Sequence, residues 1–256
     1  MTTSLFLAHG SPMLVIEDHA YTQFLKQLAA SMPRPKAIVI FTAHWESPVQ
    51  LISGASAYET IYDFYGFPDE LYQVTYPAKG EPALAKKIQH LFADAGIPSE
   101  IDLERGLDHG AWSVLKLLYP EADIPVIALS VNPSLSNEQQ YKIGKALASL
   151  RNEEVLIIGS GGTVHNLRRI NWDGGQAESW AVQFDDWFQE KLTVWDTQQV
   201  FDYERLAPHA QAAVPRNEHF IPLLLAMGTA DETRKAQLLH RSYQLGTLSL
   251  SGWQFA

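Results

Sequence analysis

The sequence predicts an α/β protein with a single domain, a mostly parallel central sheet covered by helices on both faces. Short apolar runs rich in Val, Ile and Leu alternate with amphipathic stretches along the chain, the order expected of a doubly wound sheet. Those runs are continuous rather than alternating with polar residues, which is the pattern of strands buried on both sides. At 256 residues, 46% hydrophobic and 19% charged, the chain can bury one sizeable core. No stretch has the composition of a linker, so residues 1–256 are expected to form one domain.

The elements follow in order. Residues 5–8 form the first apolar run, and the turn-forming Gly10 and Pro12 close it directly after His9. Residues 21–32 place Phe24, Leu25, Leu28 and Ala29 at helical spacing, and Pro33 and Pro35 stop that helix before the β-branched run 37–41. Strand, helix and strand in succession imply a right-handed crossover between parallel strands. The pattern returns with a helix over 82–95, carrying Leu84, Ile88 and Leu91 on one face and closed by Gly96 and Pro98. A strand over 125–130, a helix over 138–150 and a strand over 155–159 follow. Near the C-terminus, Pro222 is tolerated only in a first helical turn, so the apolar helix that runs to Met227 must begin close to His219.

Composition excludes several functions. A net charge of -10 repels phosphate backbones, and no clustered Lys/Arg stripe offsets it, which argues against nucleic acid as a partner. The absence of cysteine removes disulfides, thiolate metal sites and cysteine nucleophiles, so any metal must sit on His, Asp or Glu. No window reaches the roughly 18 apolar residues of a membrane span, and no basic leader precedes the first apolar run. The expected location is cytoplasmic, with no membrane partner.

Of the nine histidines, four occupy positions that matter. His9 and His44 each follow an apolar run, and His165 follows the run 155–159 through a glycine-rich loop. Ligands of open α/β sheets bind beyond the carboxyl ends of the strands, so these imidazoles can converge. His219, at the start of the late helix, is the fourth. Taken singly, a histidine beside a strand is more often a hydrogen-bonded structural residue, and the case rests on the group. His109 has a structural alternative, with Asp108 as a helix N-cap. His19, His90, His209 and His240 are assigned no chemistry. The loop Ser160-Gly161-Gly162 has neither the spacing nor the lysine of a phosphate cradle, and the zinc-protease and serine-hydrolase motifs HExxH and GxSxG do not occur. Three neutral imidazoles can hold a first-row metal with positions left open, and a fourth held off it can move protons near neutral pH.

Six ordered motifs carry a family pattern: His9-Gly10-Ser11-Pro12, Thr42-Ala43-His44-Trp45, Tyr62-Asp63-Phe64-Tyr65-Gly66-Phe67-Pro68, Asp108-His109-Gly110-Ala111-Trp112, Gly159-Ser160-Gly161 with Val164-His165-Asn166-Leu167, and Glu218-His219-Phe220-Ile221-Pro222-Leu223. Together they resemble the class III, or LigB-type, extradiol ring-cleaving dioxygenases, in particular the 4,5-DOPA extradiol branch. The resemblance implies a single LigB-type catalytic domain and one divalent ion, Fe(II) or zinc. It makes His9 and His44 metal ligands, His165 the acid-base residue with a fourth ligand as its alternative role, and His109 a catalytic neighbour of the substrate oxygens. The third ligand falls on His219, where the best-studied ring-cleaving members carry glutamate, and Glu218 stands beside it. The implied reaction opens a catechol such as L-DOPA with dioxygen, by 4,5-cleavage to a muconate semialdehyde. Among the aromatics of these motifs, Trp45 and Tyr65 are expected at the substrate. Two other functions remain open on the same residues: a zinc-dependent hydrolase or lyase, and a non-enzymatic protein that binds a metal or small molecule.

Overall fold

The computed structural model describes residues 1–256. Its strands are β1 (Ser4–Ala8), β2 (Ala37–Glu46), β3 (Gln50–Ser53), β4 (Ser99–Asp102), β5 (Val126–Val131), β6 (Val155–Gly161), β7 (Ala236–Gln244) and β8 (Leu248–Phe255). They form one sheet in the order β4-β3-β5-β2-β6-β1-β8-β7. The central strands β5, β2, β6 and β1 are mutually parallel, β3 pairs antiparallel with β5, and the β7–β8 hairpin joins β1 antiparallel. The expected mostly parallel sheet is therefore present at the centre, with antiparallel pairing added on both sides.

Helices α1 (Ala20–Ser31), α2 (Pro82–Asp94), α3 (His109–Leu118), α4 (Asn137–Ala146) and α5 (Ser179–Thr193), the short turns α6 (Thr197–Phe201), α7 (Tyr203–Leu206) and α8 (Ala210–Ala213), and α9 (Ile221–Gly228) surround it. The continuous apolar runs follow from cover on both faces. Ile38 and Ile40 of β2 pack with Leu5 and Leu7 of β1 against Tyr21 and Leu25 of α1 and Trp112 and Leu115 of α3. Val39 and Phe41 face the other way, toward Ile88 and Phe92 of α2 and Ile221 and Leu225 of α9. Each such side chain contributes about 1.5–3 kcal/mol of transfer free energy on burial, so neither face can be left open.

Two close approaches set the functional end of the sheet. The peptide segment entering α9 lies directly on β6: a Cβ at Gly159 would stand 2.0 Å from the Pro222 carbonyl, and one at Gly161 2.1 Å from that of His219. Any side chain there would push this segment off the strand. On the opposite face, a Cβ at Gly110 would stand 2.7 Å from Thr42 Oγ1 and 2.9 Å from His44 Cδ2, so glycine lets the first turn of α3 reach the His44 ring. Asp108 caps that turn, accepting from the Ala111 amide at 3.2 Å.

Two expectations change in detail. β2 does not stop at Phe41 but continues to Glu46, with a register shift against β5, so His44 lies inside a strand rather than after one. The helix expected over 138–150 ends at Ala146 and gives way to a 3-10 turn, Ala148–Glu153, closed by Glu154 at φ 62°.

Candidate metal centre

Five imidazoles meet at the carboxyl end of β1, β6 and β2. His9 leaves β1 with its amide donating to the Gly161 carbonyl at 3.2 Å, His44 projects from β2, and His219 arrives on the segment seated against β6. His109 is the first residue of α3, and His165 is held by its amide on the Ala213 carbonyl at 2.9 Å. Ring centroids are 4.8 Å apart for His9 and His44, 5.0 Å for His44 and His219, 4.1 Å for His44 and His109, and 3.6 Å for His165 and His219. The structure thus brings together His9, His44, His109, His165 and His219.

Their hydrogen bonds decide what this cluster can do. Ser160 spends its one proton on the Gly110 carbonyl, so at 3.0 Å it can only accept from His9 Nδ1. His219 Nδ1 donates to Glu218 Oε1 at 2.9 Å, and His44 Nδ1 faces Asp63 Oδ2 at 3.2 Å. A neutral imidazole carries one N–H, and in all three rings an acceptor holds it at Nδ1. The Nε2 atoms are then bare lone pairs, yet His44 Nε2 stands 3.1 Å from that of His9 and 3.3 Å from that of His219. Lone pairs so close repel one another unless a cation lies among them. With metal–nitrogen bonds of about 2.0–2.2 Å, donors at tetrahedral or octahedral angles are separated by roughly 3.0–3.5 Å, which these distances match. This donor set fits one divalent cation.

Other groupings are conceivable by distance alone. Ligating atoms of His9, His44 and His109 lie within 4.8 Å of one another, as do those of His165, Glu218 and His219. Both short Nε2 approaches centre on His44, linking His9 and His44 of the first group to His219 of the second, which favours His9, His44 and His219. Glu218 turns Oε1 to His219 Nδ1; its Oε2 is buried without a hydrogen bond, 3.6 Å from Arg216 Nε.

Burial governs the charges. It pushes the imidazoles of His9 and His219 well below their ordinary pKa, helped by the neighbouring rings, and it lowers His109 as well. His165 is lowered to about 4, again by burial, with Glu218 acting the other way. Burial works to raise the Asp63 carboxyl, but hydrogen bonds from His109 and His44 outweigh it and hold the group below the usual carboxylate range. Neutral imidazoles are the form a metal requires.

The aromatic expectations fare unequally. Trp45 is buried, with the Arg105 guanidinium 4.8 Å over its ring, and Arg105 in turn bonds Asp108 and the His44 carbonyl. Tyr65 is 93% exposed, whereas its neighbour Phe64 places its ring 5.7 Å from that of His109. Asp63 and Ser160 stood in the recognised motifs without a role; an acceptor side chain within a histidine-bearing motif set was the available signal. A surface groove of about 440 Å³ between α2 and α4, lined by Ile97, Leu135 and Ile143, holds no group suited to catalysis apart from two lysines.

Comparison with known proteins accords with this geometry. Residues 3–255 match the family described as the catalytic LigB subunit of aromatic ring-opening dioxygenase. The chain belongs to that family. Among LigB relatives, a protein of Beta vulgaris named 4,5-DOPA dioxygenase extradiol is 43% identical over 98% of this chain and 96% of its own. One of the same name from Escherichia coli K12 is 38% identical over 96% and 92% respectively. A crystal structure of an uncharacterized Escherichia coli K12 protein superposes with a TM-score of 0.85 over the whole of both chains at 33% identity. The chain is an aromatic ring-opening dioxygenase by family. No helix is long and apolar enough to cross a membrane.

Proposed function

We propose that the chain is a cytoplasmic extradiol dioxygenase that opens a catechol such as L-DOPA by 4,5-cleavage to a muconate semialdehyde, with residues 1–256 as one catalytic unit. His9, His44 and His219 hold one divalent ion, Fe(II) in the ring-opening form. The observation that carries this is the convergence of three Nε2 lone pairs whose Nδ1 protons are already engaged by Ser160, Asp63 and Glu218. Bound there, Fe(II) supplies the redox chemistry that lets catecholate react with dioxygen, which zinc lacks.

The chain's own residues prepare the substrate. His165, neutral at pH 7, removes a catechol hydroxyl proton and later returns it, the work of a group stacked on the ligand set at 3.6 Å rather than built into it. His109 keeps its N–H at Nδ1 on Asp63 at 2.9 Å, so its Nε2 accepts a hydrogen bond from a substrate hydroxyl. Phe64, beside His109, and Tyr62, 6.1 Å from Phe64, exclude water along that side. Trp45 acts through Arg105 and Asp108 rather than by touching the ring, and Tyr65 contributes at most from the rim.

One observation favours a second reading: the donors are three neutral imidazoles, and Glu218 faces His219 Nδ1 rather than the cluster, a set that also suits a zinc hydrolase. Anaerobic reconstitution with Fe(II), followed by oxygen uptake with L-DOPA, separates the two. One oxygen consumed per semialdehyde formed is expected; an inert iron form beside a hydrolytic zinc form would overturn the proposal.

A further inference from the structure

Asp63 lies on the irregular segment between β3 and α2, which is anchored by α3, by the residues leading into that helix and by a contact within the segment itself. The Ile61 amide donates to the Leu107 carbonyl at 2.8 Å, Trp112 Nε1 donates to the Ile61 carbonyl at 2.9 Å, and Tyr62 Oη donates to the Val74 carbonyl at 2.9 Å. From this held backbone the carboxylate reaches two histidines at once. Oδ1 accepts from the His109 amide at 3.0 Å and from His109 Nδ1 at 2.9 Å, and Oδ2 stands 3.2 Å from His44 Nδ1.

We propose that Asp63 is a positioning residue shared between the two halves of the site, fixing the Nδ1–H tautomer of metal-holding His44 and of substrate-facing His109 together. The inference rests on the reading above, in which His44 is a ligand. His9 and His219 each have an acceptor of their own, Ser160 and Glu218. Only His44 and His109 share one, and their rings lie 4.1 Å apart. An ionised carboxylate is acceptor-only on both oxygens, so it can hold two imidazole protons; an amide cannot. In Asp63→Asn the oxygen is claimed by the two His109 donors, and the NH2 faces His44 Nδ1. That ring must then accept at Nδ1 and carry its proton at Nε2, where the metal needs a lone pair. One substitution should therefore damage metal binding through His44 and substrate handling through His109.

The test is a titration of metal-free wild type, Asp63→Asn, Asp63→Glu, His109→Ala and the Asp63→Asn/His109→Ala double variant with Zn2+, alongside kcat and KM for a catechol at saturating Fe(II). Asp63→Asn should bind Zn2+ about 10- to 100-fold more weakly, the range typical of an outer partner of a ligating histidine. Its kcat should stay below wild type when the metal site is full, because a neutral amide oxygen accepts from the two His109 donors more weakly than the carboxylate and leaves that ring less firmly held. In the His109→Ala background Asp63→Asn should leave kcat unchanged while still weakening Zn2+ binding. Asp63→Glu, which keeps the acceptor, should recover part of the metal affinity. An unaltered Zn2+ constant in a folded Asp63→Asn protein, or kcat losses that multiply in the double variant, would overturn the inference. If wild type and His44→Ala bind Zn2+ alike, the failure belongs to the ligand assignment instead.

Discussion

His219 and His165 lie face to face, 3.6 Å apart with only 7° between their planes, yet they are held differently. On the fixed side, His219, His9 and His44 each have Nδ1 facing an acceptor, and their Nε2 atoms converge. On the other side, the His165 ring has no hydrogen-bond partner on another residue and is positioned by stacking and by its backbone. The difference teaches that chemical identity alone does not assign roles in a cluster of imidazoles. An anchored ring presents one lone pair in one direction, as a ligand must, while an unanchored ring can exchange a proton and reorient as it does so.

The largest expected effect tests the fixed side. His219→Ala and His44→Ala should each purify without stoichiometric metal and show no turnover after Fe(II) is supplied, as measured by metal analysis and oxygen uptake. Normal metal content in either would break the comparison at its base. Next comes the free side. His165→Ala should keep full metal content and lose about 10²- to 10⁴-fold in kcat, the usual contribution of an acid-base group. A variant that loses metal as readily as His44→Ala would make His165 a fourth ligand.

Acid sharpens the comparison in the metal-free protein. Burial depresses the folded-state pKa of His9, His109, His165 and His219 below the ordinary 6.5. The unfolded chain therefore binds more protons as pH falls through about 6.5, and unfolding is favoured. Stability is full above that pH and declines below it, for His165 down to its folded value of about 4, at up to about 1.4 kcal/mol per pH unit for each histidine. Urea midpoints measured from pH 7 to pH 5 should fall, less steeply by one proton's worth in His165→Ala. A flat profile would mean that the imidazoles are not neutral and buried.

The smallest effect is reserved for Glu218. Glu218→Gln keeps an oxygen that can accept from His219 Nδ1, so metal should be retained and affinity fall by about tenfold or less, toward the low end for such outer contacts. Complete loss of metal in this variant would place Glu218 among the ligands.

The legible part of the fold is its centre. β1, β2, β5 and β6 are apolar runs that declare burial on both faces, and the helices between them have a clear 3.6-residue period. β3 and β4 escape notice because each has four residues, and β4, Ser-Glu-Ile-Asp, is largely polar at a sheet edge. β7 is partly exposed along most of its length, which blurs the pattern that periodicity needs. In the site, His9, His44, His165 and His219 are legible because histidines near strand ends and helix starts imply convergence, whereas His109 is legible only through the family resemblance. Asp63 and Ser160 were visible only as motif letters. Their role depends on a loop crossing from β3 to α3 and on a serine proton spent on Gly110, which local sequence does not encode. That Phe64 rather than Tyr65 meets His109 is illegible for the same reason: side-chain direction in an irregular segment has no period to read.

The central claim is that three tautomer-locked imidazoles hold one ion while a fourth stands free beside it. It is tested most directly by a crystal structure of the protein loaded with Zn2+, with data collected on both sides of the zinc absorption edge. A single anomalous peak within about 2.0–2.2 Å of Nε2 of His9, His44 and His219, and clear of His165 and Glu218, is the predicted result. A peak bonded to Glu218 in place of His219, or to His109 or His165 in place of either strand histidine, would contradict it.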